Sequence, residues 1–173
     1  MAEALDPAVP GKVDELAHRV LKEAGARRLK LATAESCTGG LLASLLTDIP
    51  GDSHAFERGF VTYSNDAKRE MLGVPPKLLE TPGPVSEEVA RAMAEGALRH
   101  SRADLALAVT GYADPAPDSM GGAGLVHFAV ARRGAATRHR CEEFGPVGRA
   151  EVRIRSLEAS LRMLWEAISG SAT

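Results

Sequence analysis

The stretch "LATAESCTGGLLASLL", residues 31–46, concentrates reactive groups where an apolar run gives way to a helical pattern. Glu35, Ser36, Cys37 and Thr38 place a carboxylate, two hydroxyls and a thiol just before Gly39 and Gly40. A strand that ends at a helix N-terminus exposes backbone N–H groups to any nearby negative charge. In open α/β sheets that edge is where ligands bind. A serine there can attack an acyl carbon while neighbouring N–H groups hold the oxyanion. The same residues also suit a plain helix cap by Ser36 or Thr38, and spacing alone leaves both readings open. Cys37 is a rival nucleophile, but no histidine lies near it in sequence, and a small buried thiol is the plainer expectation.

Two further stretches carry charge in unusual places. In "TYSNDAKREMLG", residues 62–73, Ser64 or Asn65 can cap a short helix, which puts Lys68 in its opening turn. The helix dipole disfavours a cation there, and desolvation would add to the effect, as a lysine general base requires. Tyr63 is placed to orient that amine or relay a proton. The alternative is a solvated lysine paired with Asp66. In "GRAEVRIRSLEASLRML", residues 148–164, Glu151–Arg155 and Glu158–Arg162 are ordinary helix pairs. Arg149 and Arg153 instead repel each other one turn apart at a helix start, and a phosphate between or beside them would relieve both terms. Water and Glu142 or Glu143 are the alternative screen.

These stretches need a scaffold, and the pattern supplies one. Val13, Leu16, Val20 and Leu21 predict a helix ending near Ala26, and Leu29 to Ala34 reads as a short strand. A helix from Gly39-Gly40 to Leu46 follows. "FERGFVTYS" is a strand candidate, and Gly73 stops the helix that starts near Asn65. "PPKLLETPGP" reads as a proline-punctuated connection. Ser86 caps an alanine-rich helix that buries Val89, Met93 and Ala97. "ADLALAVTG" is a buried strand, and "GYADPAPDSMGGAG" is a long loop. "GLVHFAVARRG" and "ATRHRCEEFG" predict a β-hairpin turning near Gly134. A last helix holds Ile154, Leu157, Leu161, Leu164 and Ile168 on one face. Early alternation of helix and strand with a late hairpin predicts a single-domain α/β fold, a three-layer α/β/α sandwich with a mixed sheet. The domain is expected over residues 12–170, after a loose arm at 1–11.

Composition narrows the function classes. The chain has 173 residues, 45% of them hydrophobic and 25% charged, which suits one packed domain. A net charge of −2 gives no reason to expect nucleic acid or an acidic membrane surface. Two cysteines, Cys37 and Cys141, cannot make a disulfide framework, so a cytoplasmic protein is expected. No signal-type segment or membrane span is apparent. The five histidines show no metal-ligand spacing, and His127, within a strand, is expected to be structural. Neither a dinucleotide fingerprint nor a P-loop occurs. No metal and no cofactor are expected.

Taken together, "TAESCTGGLLASLLTDIPG", "FERGFVTYSNDAKREMLGV", "PVSEEVARAMAEGAL", "ADLALAVTG" and "GLVHFAVA" closely resemble the C-terminal domain of the CinA (competence/damage-inducible) family. That family includes stand-alone nicotinamide mononucleotide deamidases. The resemblance runs from about residue 12 to 168. It implies an amidohydrolase that releases ammonia from nicotinamide mononucleotide by a Ser–Lys mechanism without metal. Carried over by motif, Ser36 is the nucleophile, Lys68 the general base and Tyr63 the relay. Thr110 matches a substrate-pocket threonine, and Arg153 matches an arginine resembling a phosphate clamp. Glu35, Cys37, Thr38, Gly39, Gly40, Gly111 and Arg149 are expected to complete the substrate site. A phosphorylated nucleotide substrate and a homo-oligomer are the implied partners.

The chain departs from the family at one loop. Where the family usually has a glycine-rich "GIAGP-G-G", this chain has "GYADPAPDSMGGAG". Tyr112 and Asp114 replace a small apolar residue and a glycine, and Pro117-Asp118 replaces a glycine pair. Asp114 and Asp118 bring negative charge to where a phosphorylated substrate is expected. The alternatives are therefore another amide as substrate, or a non-catalytic protein that binds a nucleotide or partner.

Overall fold

Strand β1 (Leu31–Glu35) is buried at every residue and lies inside the sheet, between β2 (Phe56–Val61) and β3 (Leu105–Gly111). It runs parallel to both. The computed structural model describes residues 8–114 and 122–170. Beyond β3, β4 (Leu125–Arg132) and β5 (Arg138–Glu143) add antiparallel strands, so the sheet is mixed, in the order β2-β1-β3-β4-β5. The two parallel neighbours of β1 lie on opposite sides of it. That makes the C-terminal end of β1 a topological switch point, where a crevice opens.

Alternation along the strands sorts side chains by size onto the two faces of the sheet. Leu31, Leu105, Leu107, Val109, Val126, Phe128 and Val130 pack with helices α1 (Gly11–Ala26), α2 (Leu41–Thr47) and α6 (Arg149–Ser169). Ala32, Ala34, Ala106, Ala108, Ala129 and Ala131 face the other way, toward α3 (Asn65–Leu72) and α5 (Glu87–Arg99). A nearly flat alanine surface lets α5 lie close to the strands. Helices on both faces give the three-layer α/β/α sandwich.

The helices start and stop for local reasons. Ser64 and Ser86 accept hydrogen bonds from the Ala67 and Val89 N–H groups, which caps α3 and α5. Gly73 ends α3 at a φ of 68°. Leu157, Leu161, Leu164 and Ile168 are buried along α6, while Ile154 is only partly covered. Two features differ from expectation. "PPKLLETPGP" contains a one-turn helix, α4 (Pro76–Glu80), begun by a proline at its first position. Within the span expected as an arm, Gly11 opens α1 and Val9 is buried in the core. Residues 1–7 of that arm, and Pro117-Asp118 of the long loop, lie outside the described residues.

Close packing of α3 on α5 depends on one glycine. A Cβ at Gly96 would sit 2.1 Å from the Leu72 carbonyl oxygen, far inside contact distance. Leu72 lies one turn beyond Lys68 on the same buried side of α3. Gly96 thus lets α3, the helix that carries Lys68, pack close against α5.

Candidate active site

At the end of β1 the chain passes through a turn that is almost entirely satisfied by one side chain. Glu35 is fully buried. Its carboxylate accepts hydrogen bonds from Thr38 Oγ1 at 2.7 Å, Gly40 N at 3.1 Å, Leu42 N at 3.0 Å and Ala43 N at 2.8 Å. The donors at the start of α2 are therefore taken by an internal acid reaching forward from the strand. Gly39 and Gly40 make this possible by adopting φ values of 62° and 92°, the left-handed region that glycine enters without strain. Gly39 N bonds the Ser36 carbonyl, and Ser36 N bonds the Val109 carbonyl on β3.

Two N–H groups of the turn stay uncommitted. Those of Cys37 and Thr38 donate to no other described residue. They follow Ser36 directly and are the groups that could meet an oxyanion formed there.

Lys68 approaches from α3, which follows the neighbouring strand. It is 2% exposed, and its Nζ lies 2.9 Å from Ser36 Oγ. The amine also donates to the Thr62 carbonyl at 3.0 Å and the Tyr63 carbonyl at 3.4 Å. No carboxylate is among these contacts, and Asp66 pairs with Arg69 instead. Burial without a counter-charge pushes the Lys68 pKa down to about 8. Desolvation is the cause. A substantial share of the amine is thus neutral near pH 8 and able to accept the serine proton. Cys37 is also buried, and loss of solvation pushes its thiol up to about 12. The thiolate is suppressed, so Ser36 is the nucleophile this geometry favours.

Ser36 and Lys68 open into a cleft of about 420 Å³ that Cys37, Tyr63, Thr110, Gly111 and Arg149 also line. Thr110 Oγ1 donates to the Pro84 carbonyl at 2.8 Å, which ties the end of β3 to the segment before α5. Tyr63 is largely exposed, and its tie to Lys68 runs through its main-chain carbonyl. Its side chain lines the cleft beside Arg149. Arg149 is also ion-paired with Asp114. Neither Glu142 nor Glu143 is its screen.

A family model, the CinA C-terminal domain, matches residues 13–168. The chain belongs to the CinA C-terminal domain family. A CinA-like protein from Chlorobium phaeovibrioides is 43% identical over 99% of this chain and 45% of its own length. A competence/damage inducible protein, CihA, from Agrobacterium tumefaciens matches with a TM-score of 0.89 and 46% identity, covering 93% of this chain and 98% of that one. A competence damage-inducible protein A (ComA) from Klebsiella pneumoniae matches with a TM-score of 0.85 and 36% identity, over 91% and 97% of the two chains. The chain spans less than half the length of the curated relatives it matches.

Against this CinA fold, several expected substrate contacts take other positions. Glu35, Thr38, Gly39 and Gly40 build the turn and do not line the cleft. A run of donors at a helix start can serve a ligand or an internal carboxylate, and here the carboxylate has most of them. Arg153 is likewise not at the cleft. Its Nη2 donates to the Thr38 carbonyl at 2.9 Å, and its Nε is buried with no partner among the described residues. It braces the far side of the turn instead. The cleft walls also include Asn65, Pro84, Val85 and Tyr112, which were not among the expected site residues.

Histidine plays no part in the CinA cleft. The rings of His127 and His139 stack 5.2 Å apart across β4 and β5, with Nδ1 and Nε2 at 3.0 Å. Among the described residues no group of three side chains is arranged to hold a metal. No described helix is long and apolar enough to cross a membrane.

Proposed function

We propose that this CinA domain is an amidohydrolase that converts nicotinamide mononucleotide to nicotinate mononucleotide and ammonia. The observation that carries this reading is the buried amine of Lys68 within 2.9 Å of Ser36 Oγ. Lys68, as the free amine, takes the Ser36 proton as Oγ bonds to the carboxamide carbon. The carbonyl oxygen gains the charge and meets the Cys37 and Thr38 N–H groups. Collapse of the adduct breaks the C–N bond, and the proton on Lys68 passes to the departing nitrogen, which leaves as ammonia. Water then attacks the acyl-serine, with Lys68 again accepting a proton and returning it to Ser36 Oγ. Tyr63 and Arg149 stand at the cleft mouth, where they would meet the ribosyl phosphate tail. No step in this scheme calls for a metal or cofactor.

Ammonia release from nicotinamide mononucleotide by the purified protein tests the reading. Turnover is expected, and Ser36→Ala is expected to lower kcat by at least about a thousandfold while leaving the fold intact. Full turnover by Ser36→Ala would exclude the mechanism. A second reading, an amide without the nucleotide phosphate, is favoured by one specific observation, the Asp114–Arg149 pair.

A further inference from the structure

Arg153 reaches the turn after β1 from outside the cleft, on the second turn of α6. Its Nη2 donates to the Thr38 carbonyl at 2.9 Å, and its Nε is buried with no partner among the described residues. The peptide unit that accepts this bond joins Thr38 to Gly39. The N–H of the same unit donates to the Ser36 carbonyl at 3.0 Å. That carbonyl shares its own peptide unit with the Cys37 N–H, one of the two uncommitted donors that follow Ser36. Two peptide units therefore run head to tail from a guanidinium to that donor. A cation on a carbonyl oxygen draws electron density from the amide and makes its N–H a stronger donor, and hydrogen bonds in series reinforce one another.

The two arginines in the opening turns of α6 are used differently. Arg149 lines the cleft and is ion-paired with Asp114. Arg153 is not at the cleft, and among the described residues it pairs with no carboxylate, so its charge is not cancelled. That charge acts at the turn. Burial pushes the Cys37 thiol up to about 12, and Arg153 is one of the smaller influences that oppose the rise. A Cβ added to Gly39 would lie 3.8 Å from Arg153 Nη2, so the guanidinium rests against the turn. The other end of the turn is fixed by the bond from Ser36 N to the Val109 carbonyl at 3.0 Å.

Resting on the amidohydrolase reading, we infer that Arg153 is a positioning residue for the oxyanion donors. Through the Thr38–Gly39 and Ser36–Cys37 peptide units it orients and polarises the Cys37 N–H that receives the negative oxygen. Arg153 acts through the main chain and does not touch the substrate. It therefore governs the chemical step and leaves binding of the nucleotide alone.

Ammonia release from nicotinamide mononucleotide, together with nitrogen–proton correlation NMR spectra of the substrate-free protein, tests the inference. Arg153→Gln is expected to lower kcat about tenfold and to leave KM within about twofold. Arg153→Lys keeps a charge and a donor for the single bond to the carbonyl, and is expected to hold kcat within about threefold of the parent. The Gly39 amide proton is expected to move upfield in Arg153→Gln and to stay near its parental position in Arg153→Lys. A KM that rises more than about fivefold with kcat unchanged would make Arg153 a substrate contact and overturns the inference. So does an Arg153→Gln protein with kcat within about threefold of the parent, or one whose Gly39 resonance does not move. If Arg153→Gln does not fold, Arg153→Lys carries the test, and a kcat loss above about threefold or a displaced Gly39 resonance overturns the inference. No ammonia release by the parent removes the proposed function by itself, because the Gly39 resonance reads the relay without substrate.

Discussion

The turn at Glu35–Gly40 and the strand end at Thr110–Asp114 meet at one cleft and hold their acids in different ways. Glu35 is fully buried, and four donors converge on its two oxygens. Asp114 is about half exposed, and its recorded partner is one arginine that is equally exposed. An ion pair in water exchanges easily and contributes little to stability. A buried carboxylate cannot lose its donors without leaving them unpaired. The turn therefore keeps Ser36 in one place, whereas the charges at Asp114 and Arg149 can be rearranged by a ligand. The Ser36 hydroxyl sits on the rigid side, and the exchangeable ion pair sits at the cleft wall.

The sharpest way to break this contrast is to delete both acids in turn. Glu35→Ala is expected to cost about 3–5 kcal/mol of stability, because three backbone N–H groups and a buried hydroxyl lose their acceptor. Asp114→Ala is expected to leave Tm within about 2 °C of the parent. Chemical denaturation and thermal melts of the two variants measure both. Comparable losses in the two would erase the distinction.

Next in size is Gly96→Ala, a methyl group placed far from both acids. The added carbon meets the Leu72 carbonyl, so α3 must shift away from α5. A loss of about 1–3 kcal/mol is expected. Turnover should fall more than a generic destabilisation explains, since Lys68 moves with α3. A stable Gly96→Ala protein with parental kcat would show that Lys68 is placed by other contacts.

The smallest effect is graded by pH. Below the Lys68 pKa of about 8, kcat/KM is expected to fall about tenfold per pH unit, and above it to level off. Stability follows the same group. In the unfolded chain the amine holds its proton up to its ordinary 10.5, while in the folded protein it has lost it above about 8. Between those values the unfolded state binds more protons, so stability rises with pH. Below about 8 the full penalty of burying the cation is present. Melts of the parent and of Lys68→Met across this window separate the contribution of Lys68 from the general titration of the surface, because the variant lacks the rise.

Much of the fold was legible along the chain. Helices α1, α5 and α6 carry apolar residues at helical spacing, Ser64, Ser86 and Gly73 mark boundaries, and the late hairpin turns near Gly134 where its composition placed it. These features are local, involving residues within a turn or two of each other. The one-turn helix α4 was not legible, because five residues between prolines show no period. At the site, the residue types around Ser36 were informative while their roles were not. Glu35 looked like a ligand contact because a carboxylate beside glycines at a strand end suits either task.

The sequence by itself determined most of the elements, the layer order and the presence of a serine after β1 and a lysine in the opening turns of α3. Only the tertiary structure decided that these two meet, because 32 residues separate them and a parallel crossover is needed to set β2 beside β1. It alone decided that Lys68 loses its hydration, since burial belongs to the packed assembly of α3 on α5 and not to any segment of it. It decided also that Arg149 is answered by Asp114, from 35 residues away, and that Arg153 is not at the cleft. Short-range pattern sets what each segment can become, and the free energy of a charge depends on everything packed around it.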